Sequence, residues 1–338
     1  MSANRKQIVI TGGAGFIGSN LARRLVSRGS VGVTVIDDLS YGYVENLSDI
    51  DQSSIAAVYD SILDVDLVAM MKEVDTVYHF AAVSSLPECQ ADPQAAIRVN
   101  IEGTARVLEA ARRCGVRRVI FASTSAVYEN SSPPFSEAIL VSPDLVYSWS
   151  KFSGELLCES YFRNYGLDVV IARFFNVYGP AQDNQRKNPP FTSYLIHSLL
   201  NGEQPVLYNV SQIKRDYIYI SDLLDLVEFL GNHDQQMGGQ IFNLGSGQAY
   251  TPLEIFRIVT DLLGSDVRYT HATVHNFWDK YPELKEGFGL KLSRLEKEIY
   301  KESICDATKI QNLTGNQTRH SMREGLEAII NSITRKNT

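Results

Sequence analysis

Apolar positions in the first half of the chain fall into two patterns that take turns. Short unbroken apolar runs at Gln7–Ile10, Val33–Ile36, Ile55–Tyr59, Thr76–Phe80, Val119–Ala122 and Val169–Arg173 predict buried strands, since a strand covered on both faces needs no polar side. Between them, Phe16–Arg28 carries Ile17, Leu21, Leu25 and Val26 at helical spacing, and Val65–Lys72, Gln94–Cys114 and Trp149–Asn164 repeat that periodicity. Strand and helix in alternation predict an α/β fold with a doubly wound parallel sheet over residues 1–173. Beyond Arg173 the alternation gives way to loops rich in Asn, Pro and Gln from Gly179 to Pro190, short mixed elements, and a charged helical stretch from Leu292 to Glu302. Residues 174–338 are therefore expected to form a smaller lobe that covers a substrate and interleaves with the sheet.

A chain of 338 residues with 44% hydrophobic and 21% charged positions has room for a large core. Its net charge of −7 and pI near 5.5 offer no basic stripe to a phosphate backbone, which argues against nucleic acid as a partner. No apolar stretch is long enough to span a membrane, and the N-terminal apolar run is too short for a secretion signal, so a cytoplasmic protein is expected. Cys89, Cys114, Cys158 and Cys305 are widely spaced with no CxxC pair, a pattern that suggests neither a metal site nor a disulfide framework.

The chemistry starts at Thr11-Gly-Gly-Ala-Gly-Phe-Ile-Gly18, set between the first strand and the first helix. A diphosphate needs backbone N–H donors at close range, and Gly12, Gly15 and Gly18 remove the side chains that would block a helix N-terminus. Asp37 and Asp38 end the second strand, about 20 residues on, where a carboxylate accepts both ribose hydroxyls of NAD and repels the additional phosphate of NADP. Asp60–Asp64 follows the third strand, with Ser61 and Ile62 the expected adenine contacts. Tyr147 and Lys151 stand one helical turn apart, so the ammonium is expected to lower the phenol's pKa and make it a base, while also holding the nicotinamide ribose. Thr124, at the end of a strand, is placed to hydrogen-bond the reacting hydroxyl. His79 lacks partners at metal spacing and reads as a packed strand residue, and Cys89 as a structural thiol.

TGGAGFIG, the run Asp37–Leu47, His79-Phe-Ala-Ala82, Asn100-Ile-Glu-Gly-Thr104, Thr124, Tyr147-Ser-Trp-Ser-Lys151 and Arg173–Pro180 together resemble the extended short-chain dehydrogenase/reductase family, and within it the NAD-dependent nucleotide-sugar epimerases and dehydratases. The likeness continues through Arg215–Asp222, Phe242–Gly247 and Cys305–Lys309. It implies a Rossmann-type fold, bound NAD, and a cofactor site that also takes in Phe16, Ile17, Ala81 and Asn100. It further implies a homodimer paired through the helices of Gln94–Cys114 and Trp149–Asn164.

The activity implied is transient oxidation, in which Tyr147 takes the proton of a sugar C4 hydroxyl while the C4 hydride passes to NAD. Dehydratases and decarboxylases of this family usually carry an acidic residue two places after the catalytic Thr; here Ser125-Ala126 follows, and alanine transfers no proton. A UDP-sugar 4-epimerase is the favoured expectation. A dehydratase or decarboxylase recruiting Glu88 or Glu129, and a catalytically silent NAD sensor, are the rivals. The resemblance assigns Ser85, Thr124, Ser125, Asn176 and Arg215 to the substrate, with the last two on the diphosphate. Two of the family's phosphate-binding arginines fall on Ala181 and Glu296, leaving Arg186, Lys187, Lys291 and Arg294 as replacements. Ser303 falls where 4-epimerases carry a residue whose bulk controls entry of N-acetylated sugars, and Phe277–Leu284 reads as an insertion beside the sugar pocket.

Overall fold

The computed structural model describes residues 6–29, 31–208, 213–272, 281–287, 289–315 and 318–336. Its centre is a seven-stranded sheet built from β1 (Lys6–Thr11), β2 (Val31–Ile36), β3 (Ile55–Val58), β4 (Val74–His79), β5 (Arg118–Thr124), β6 (Val169–Phe174) and β10 (Ile241–Leu244). The spatial order is β10-β6-β5-β4-β1-β2-β3, with every pairing parallel. Each strand is short and mostly buried, with an apolar centre, because helices cover both faces of the sheet. On one face Ile8, Ile10, Val33 and Val35 pack with Leu21 and Leu25 of α1 (Phe16–Ser27) and Leu223 and Val227 of α8 (Ile220–Asn232). On the other, Val9, Val77, Val119 and Ile171 pack with α2 (Leu67–Met70), α5 (Thr104–Cys114) and α6 (Val146–Tyr165). The order of strands reverses between β1 and β4, which opens a crevice at their C-terminal ends, where ligands of such sheets sit.

The stretch expected as one helix from Gln94 to Cys114 is α4 (Pro93–Ile97), one π-helical turn (Arg98–Gly103) and α5 in succession, entered from α3 (Leu86–Ala91). The wide turn carries the fully buried Asn100, whose amide donates to the Val83 carbonyl (3.1 Å) and the Ser150 hydroxyl (3.0 Å) and accepts from the Val83 N–H (2.9 Å). Periodicity alone does not reveal such a turn, because the apolar stripe runs on across it.

In the second half, β7 (Asn176–Tyr178), β9 (Arg215–Tyr219) and β11 (Ala249–Tyr250) make a small sheet, and β8 (Val206–Tyr208) pairs with β12 (Thr270–Ala272). Their apolar sides meet α7 (Phe191–Leu200), α9 (Pro252–Leu263) and α12 (Met322–Lys336) around Tyr178, Leu195, Ile255 and Leu326. The shorter helices α10 (Leu292–Ile299) and α11 (Thr308–Thr314) complete the chain. Strand β10 belongs to this half by sequence yet hydrogen-bonds to β6. Among the described residues no helix is long and apolar enough to cross a membrane.

One buried ion pair ties the sheet's base together. Arg118 at the start of β5 donates to Asp168 beside β6 (2.9 and 2.5 Å) and to the carbonyls of Leu230, His233 and Gln235 at the end of α8 (2.7, 2.7 and 2.6 Å). With only 1% of the Arg118 side chain exposed, its removal strands a buried carboxylate and three carbonyls. Arg118→Ala is expected to lower unfolding stability by about 3–5 kcal/mol, read from the urea midpoint at unchanged slope.

Candidate active site

The glycine turn is shaped by close approach. Gly12 adopts φ +69°, and a β-carbon there would lie 2.7 Å from the Ala81 N–H nitrogen, while one on Gly18 would overlap the Gly12 carbonyl. Helix α1 therefore starts hard against the end of β1. Gly15 caps it with no side-chain hydrogen bond, and its first turn carries no acidic residue, so the leading N–H groups face the crevice unscreened. That is the cradle a diphosphate requires, and the residues present fit a dinucleotide.

Asp37 is buried, and its carboxylate accepts the N–H groups of Ala14 (2.9 Å) and Leu39 (2.8 Å), fastening the glycine turn to the loop after β2. Burial raises its pKa, against the opposing pull of those N–H groups. Asp38 points outward and caps the Ser40 N–H (3.0 Å). Of the expected adenine contacts, Ser61 lies partly exposed, whereas the Ile62 side chain belongs to the core.

Thr124 ends β5, accepts the Ala126 N–H (3.1 Å) and donates to the phenolic oxygen of Tyr147, in the first turn of α6. The expected lowering of the Tyr147 pKa does not occur here. Burial pushes the phenol up to about 12, and the positive charge that opposes this is that of Arg186. Lys151, only 3% exposed, lies with its Nζ 4.3 Å over the Phe121 ring, in reach of the charge of Glu155 one turn further along α6. Burial brings its own pKa down to about 8. The two side chains expected to act as a couple are thus adjacent on one helix but turned to different neighbours. His79 is the packed strand residue expected, bonded to Thr11 (2.7 Å) and Thr104 (3.0 Å) and held neutral by burial. Cys89 is fully buried against the Val83 carbonyl, and burial raises its thiol to about 12.

Of the residues expected on the substrate, Asn176 and Arg215 lie on the paired strands β7 and β9, while Ser85, Thr124 and Ser125 lie at the ends of other elements. Asn176 donates to the Asp216 carbonyl (2.7 Å), and Arg215 pairs with Ser303, whose hydroxyl is buried without a hydrogen-bond partner. Sequence reasoning overlooked Asp216. Its carboxylate collects the Ser246 N–H (2.8 Å), the Gly247 N–H (2.7 Å) and the Cys305 N–H (3.2 Å), so it joins β9 to the loop after β10 and to the segment carrying Ser303. Strand alternation was the available signal, since it turns residue 216 inward where Arg215 faces outward. Burial raises the Asp216 pKa to about 6.

The proposed replacements for the absent arginines separate. Arg294 is ion-paired to Glu129 and Asp144, and the half-exposed Lys187 stands 4.1 Å over the Tyr281 ring, near Glu283. Arg186 is four-fifths buried, 3.6 Å from Asp183 and 3.4 Å from the Ser84 hydroxyl. The two spare carboxylates are engaged as well. Glu88 receives the hydroxyls of Tyr41 and Tyr281 (the latter at 3.3 Å), and Glu129 receives backbone N–H groups at the start of α6. Residues 277–280 of the expected insertion lie outside the described residues. A surface cavity of about 590 Å³ between α1 and α8 is lined by Arg24, Arg28, Asp225 and Glu228 and shares no residue with this site.

Residues 8–245 match the sequence model of the NAD dependent epimerase/dehydratase family. A UDP-N-acetyl-alpha-D-glucosaminuronate decarboxylase from Bacillus cytotoxicus is 34% identical over 96% of this chain and 97% of its own. Among solved structures, a UDP-N-acetylglucosamine 4-epimerase from Methanobrevibacter ruminantium, in complex with UDP-N-acetylmuramic acid, superposes with a TM-score of 0.86 at 29% identity, covering 99% of this chain and 100% of that one. A UDP-glucuronic acid 4-epimerase from Bacillus cereus, in complex with UDP-glucuronic acid and NAD, gives 0.82 at 26% identity over 98% of this chain and 99% of that one.

The buried ammonium makes a measurable demand on stability. Lys151 titrates near 8 in the fold against 10.5 when unfolded, so between those values the unfolded chain holds one more proton. Its contribution to stability therefore rises with pH across that window, by up to about 1.4 kcal/mol per unit. Urea unfolding of cofactor-free protein should show this rise in the wild type and its absence in Lys151→Met.

Proposed function

This chain belongs to the NAD-dependent epimerase/dehydratase family, and we propose that it interconverts a UDP-sugar at C4, as a UDP-GlcNAc/UDP-Glc type 4-epimerase. NAD is its cofactor. The residues that would hold it are Gly12, Gly15, Phe16, Ile17 and Gly18 at the diphosphate, Asp37 at the adenosine ribose, Ser61, Ile62 and Ala81 along its length, and Lys151 at the nicotinamide ribose. When bound, it supplies a reversible hydride acceptor beside the sugar.

The remaining chemistry falls to the chain's own groups. The Tyr147 phenolic oxygen takes the proton of the C4 hydroxyl as that carbon becomes a ketone, and returns it when the carbon is reduced on the opposite face. Burial leaves the phenol near 12, and the hydrogen bond from Thr124 and the charge of Arg186 are what favour its phenolate. Thr124, whose one hydroxyl hydrogen rests on the Tyr147 oxygen before substrate binds, turns it to the sugar O4 as charge develops there, and Ser85 and Ser125 orient the sugar. Asn176 and Arg215 hold the diphosphate, the guanidinium in two places.

Among the described residues no free acid stands beside Thr124, and this is the observation that favours epimerisation over elimination. Ala126 stands two places on, Glu88 is fastened by two tyrosine hydroxyls, and Glu129 by the start of α6 and Arg294. Dehydration and decarboxylation by the family's usual route need a carboxyl there. We read the exposed Trp149 and Leu156, seven residues apart on one face of α6, as the seat of a second copy of this chain.

Incubation with UDP-GlcNAc followed by NMR of the product should return the C4 epimer; a 4-keto or unsaturated sugar, or release of CO2 from a uronate analogue, would refute the reading. Tyr147→Phe is expected to lower kcat by at least about 100-fold at preserved folding, read as product formed per unit time. Ser303→Tyr is expected to abolish turnover of N-acetylated substrates while sparing UDP-Glc. Equal activity of that variant on both substrates would remove Ser303 from the sugar pocket.

A further inference from the structure

Helix α10 lies in the second half of the chain, yet its charged face rests on the wall of the catalytic crevice. Arg294 meets Glu129 at 3.2 Å and Asp144 at 3.1 Å. Lys297 donates to the Asn130 side chain, and Lys301 to the Ala126 carbonyl (3.4 Å). Arg294 and Lys297 share one face of α10, Lys301 follows just beyond its end, and the three together cover the turn that follows Thr124.

Glu129 is the pivot. The residue that caps α6 is Leu145, which has no side-chain acceptor, so the helix start depends on a carboxylate from another loop. Glu129 accepts the N–H groups of Asp144 and Leu145 (the latter at 3.0 Å) and the hydroxyl of Ser148 (2.6 Å), and so brackets Tyr147 on both sides. Only 3% of its side chain is exposed, and Arg294 supplies the positive charge that compensates it. The same stretch of chain continues to Ser303, whose backbone accepts from Asp216 (2.6 Å) and donates to Lys214 (3.0 Å), on either side of Arg215. One segment therefore touches the nucleotide strand β9 at one end and the first turn of α6 at the other.

We propose that Arg294 is a positioning residue for Tyr147, acting through Glu129, and that segment 291–303 mechanically couples the nucleotide-binding strand β9 to the start of α6. This rests on Tyr147 being the proton acceptor, which Tyr147→Phe tests separately. A shift of the first turn of α6 moves the phenol against a fixed sugar, and small misplacements of a reacting group cost rate steeply. Arg294 on this view binds no phosphate, although it is one of the cations available to replace the arginines absent at Ala181 and Glu296.

The test separates these roles by measuring two quantities on the NAD-loaded enzyme. UDP affinity is read by calorimetry, and the hydride step by single-turnover NADH absorbance after mixing with UDP-GlcNAc, a signal that appears whatever product follows. Arg294→Gln should slow the hydride step about tenfold and leave UDP affinity within about twofold, and Arg294→Lys should restore most of the rate. Glu129→Gln should reproduce the loss, and the double variant should be no slower than either single one. A tenfold fall in UDP affinity with an unchanged hydride rate would make Arg294 a phosphate ligand and overturn the proposal. So would unchanged values for both, or losses that multiply in the double variant. If Arg294→Gln does not fold, the Arg294→Lys and Glu129→Gln pair carries the same comparison. If the wild type gives no NADH signal, product formed from UDP-GlcNAc per unit time is compared across the same variants, with the same outcomes for and against.

Discussion

Gly12 and Gly18 let the end of β1 and the first turn of α1 approach until no β-carbon fits between them, and the rest of the crevice takes its place from that steric constraint. Because α1 starts there, its unscreened N–H groups point at the switch point between β1 and β4. Because the turn is held from the side by Asp37, the loop that would carry the adenosine ribose shares its frame. The backbone of Ala81, touching Gly12, brings the loop after β4 to the same point, and Asn100 then links that loop to Ser150 on α6. A chain of short-range contacts thus runs from two missing side chains to the helix that bears Tyr147 and Lys151.

What the sequence revealed follows the range of the interactions involved. Strands β1 to β6, helices α1 and α6, the glycine turn and the Tyr147/Lys151 spacing are encoded within a few residues of themselves, and the pattern of apolar positions finds them. The π turn around Asn100 is nearly as local, but it changes the winding without changing the apolar stripe, so periodicity passes over it. Asp216 and Glu129 were illegible for another reason. Each is a buried carboxylate whose meaning lies in N–H groups contributed by other loops, and nothing near it in sequence announces which. Arg294 shows the same limit from the cationic side: as a basic residue it suited a phosphate, and only the fold brings it to Glu129.

Charge and burial also part company in the crevice. Helical spacing puts Lys151 beside Tyr147, but both are buried, and each group's pKa is governed first by desolvation. Desolvation raises a phenol and lowers an ammonium, so the uncharged forms of both gain in the cofactor-free protein.

Strand β10 offers a last consequence, one that concerns synthesis of the protein. It is the strand that completes the sheet beyond β6, yet it is separated from β6 by the whole of residues 175–240. During translation β6 is therefore an unpaired edge, made of six buried residues, for as long as that stretch is being made. Parallel pairing over such a separation is slow to form and exposes a template for pairing with other chains meanwhile. The β6 edge is covered only once residues 241–244 have been made and have paired with it.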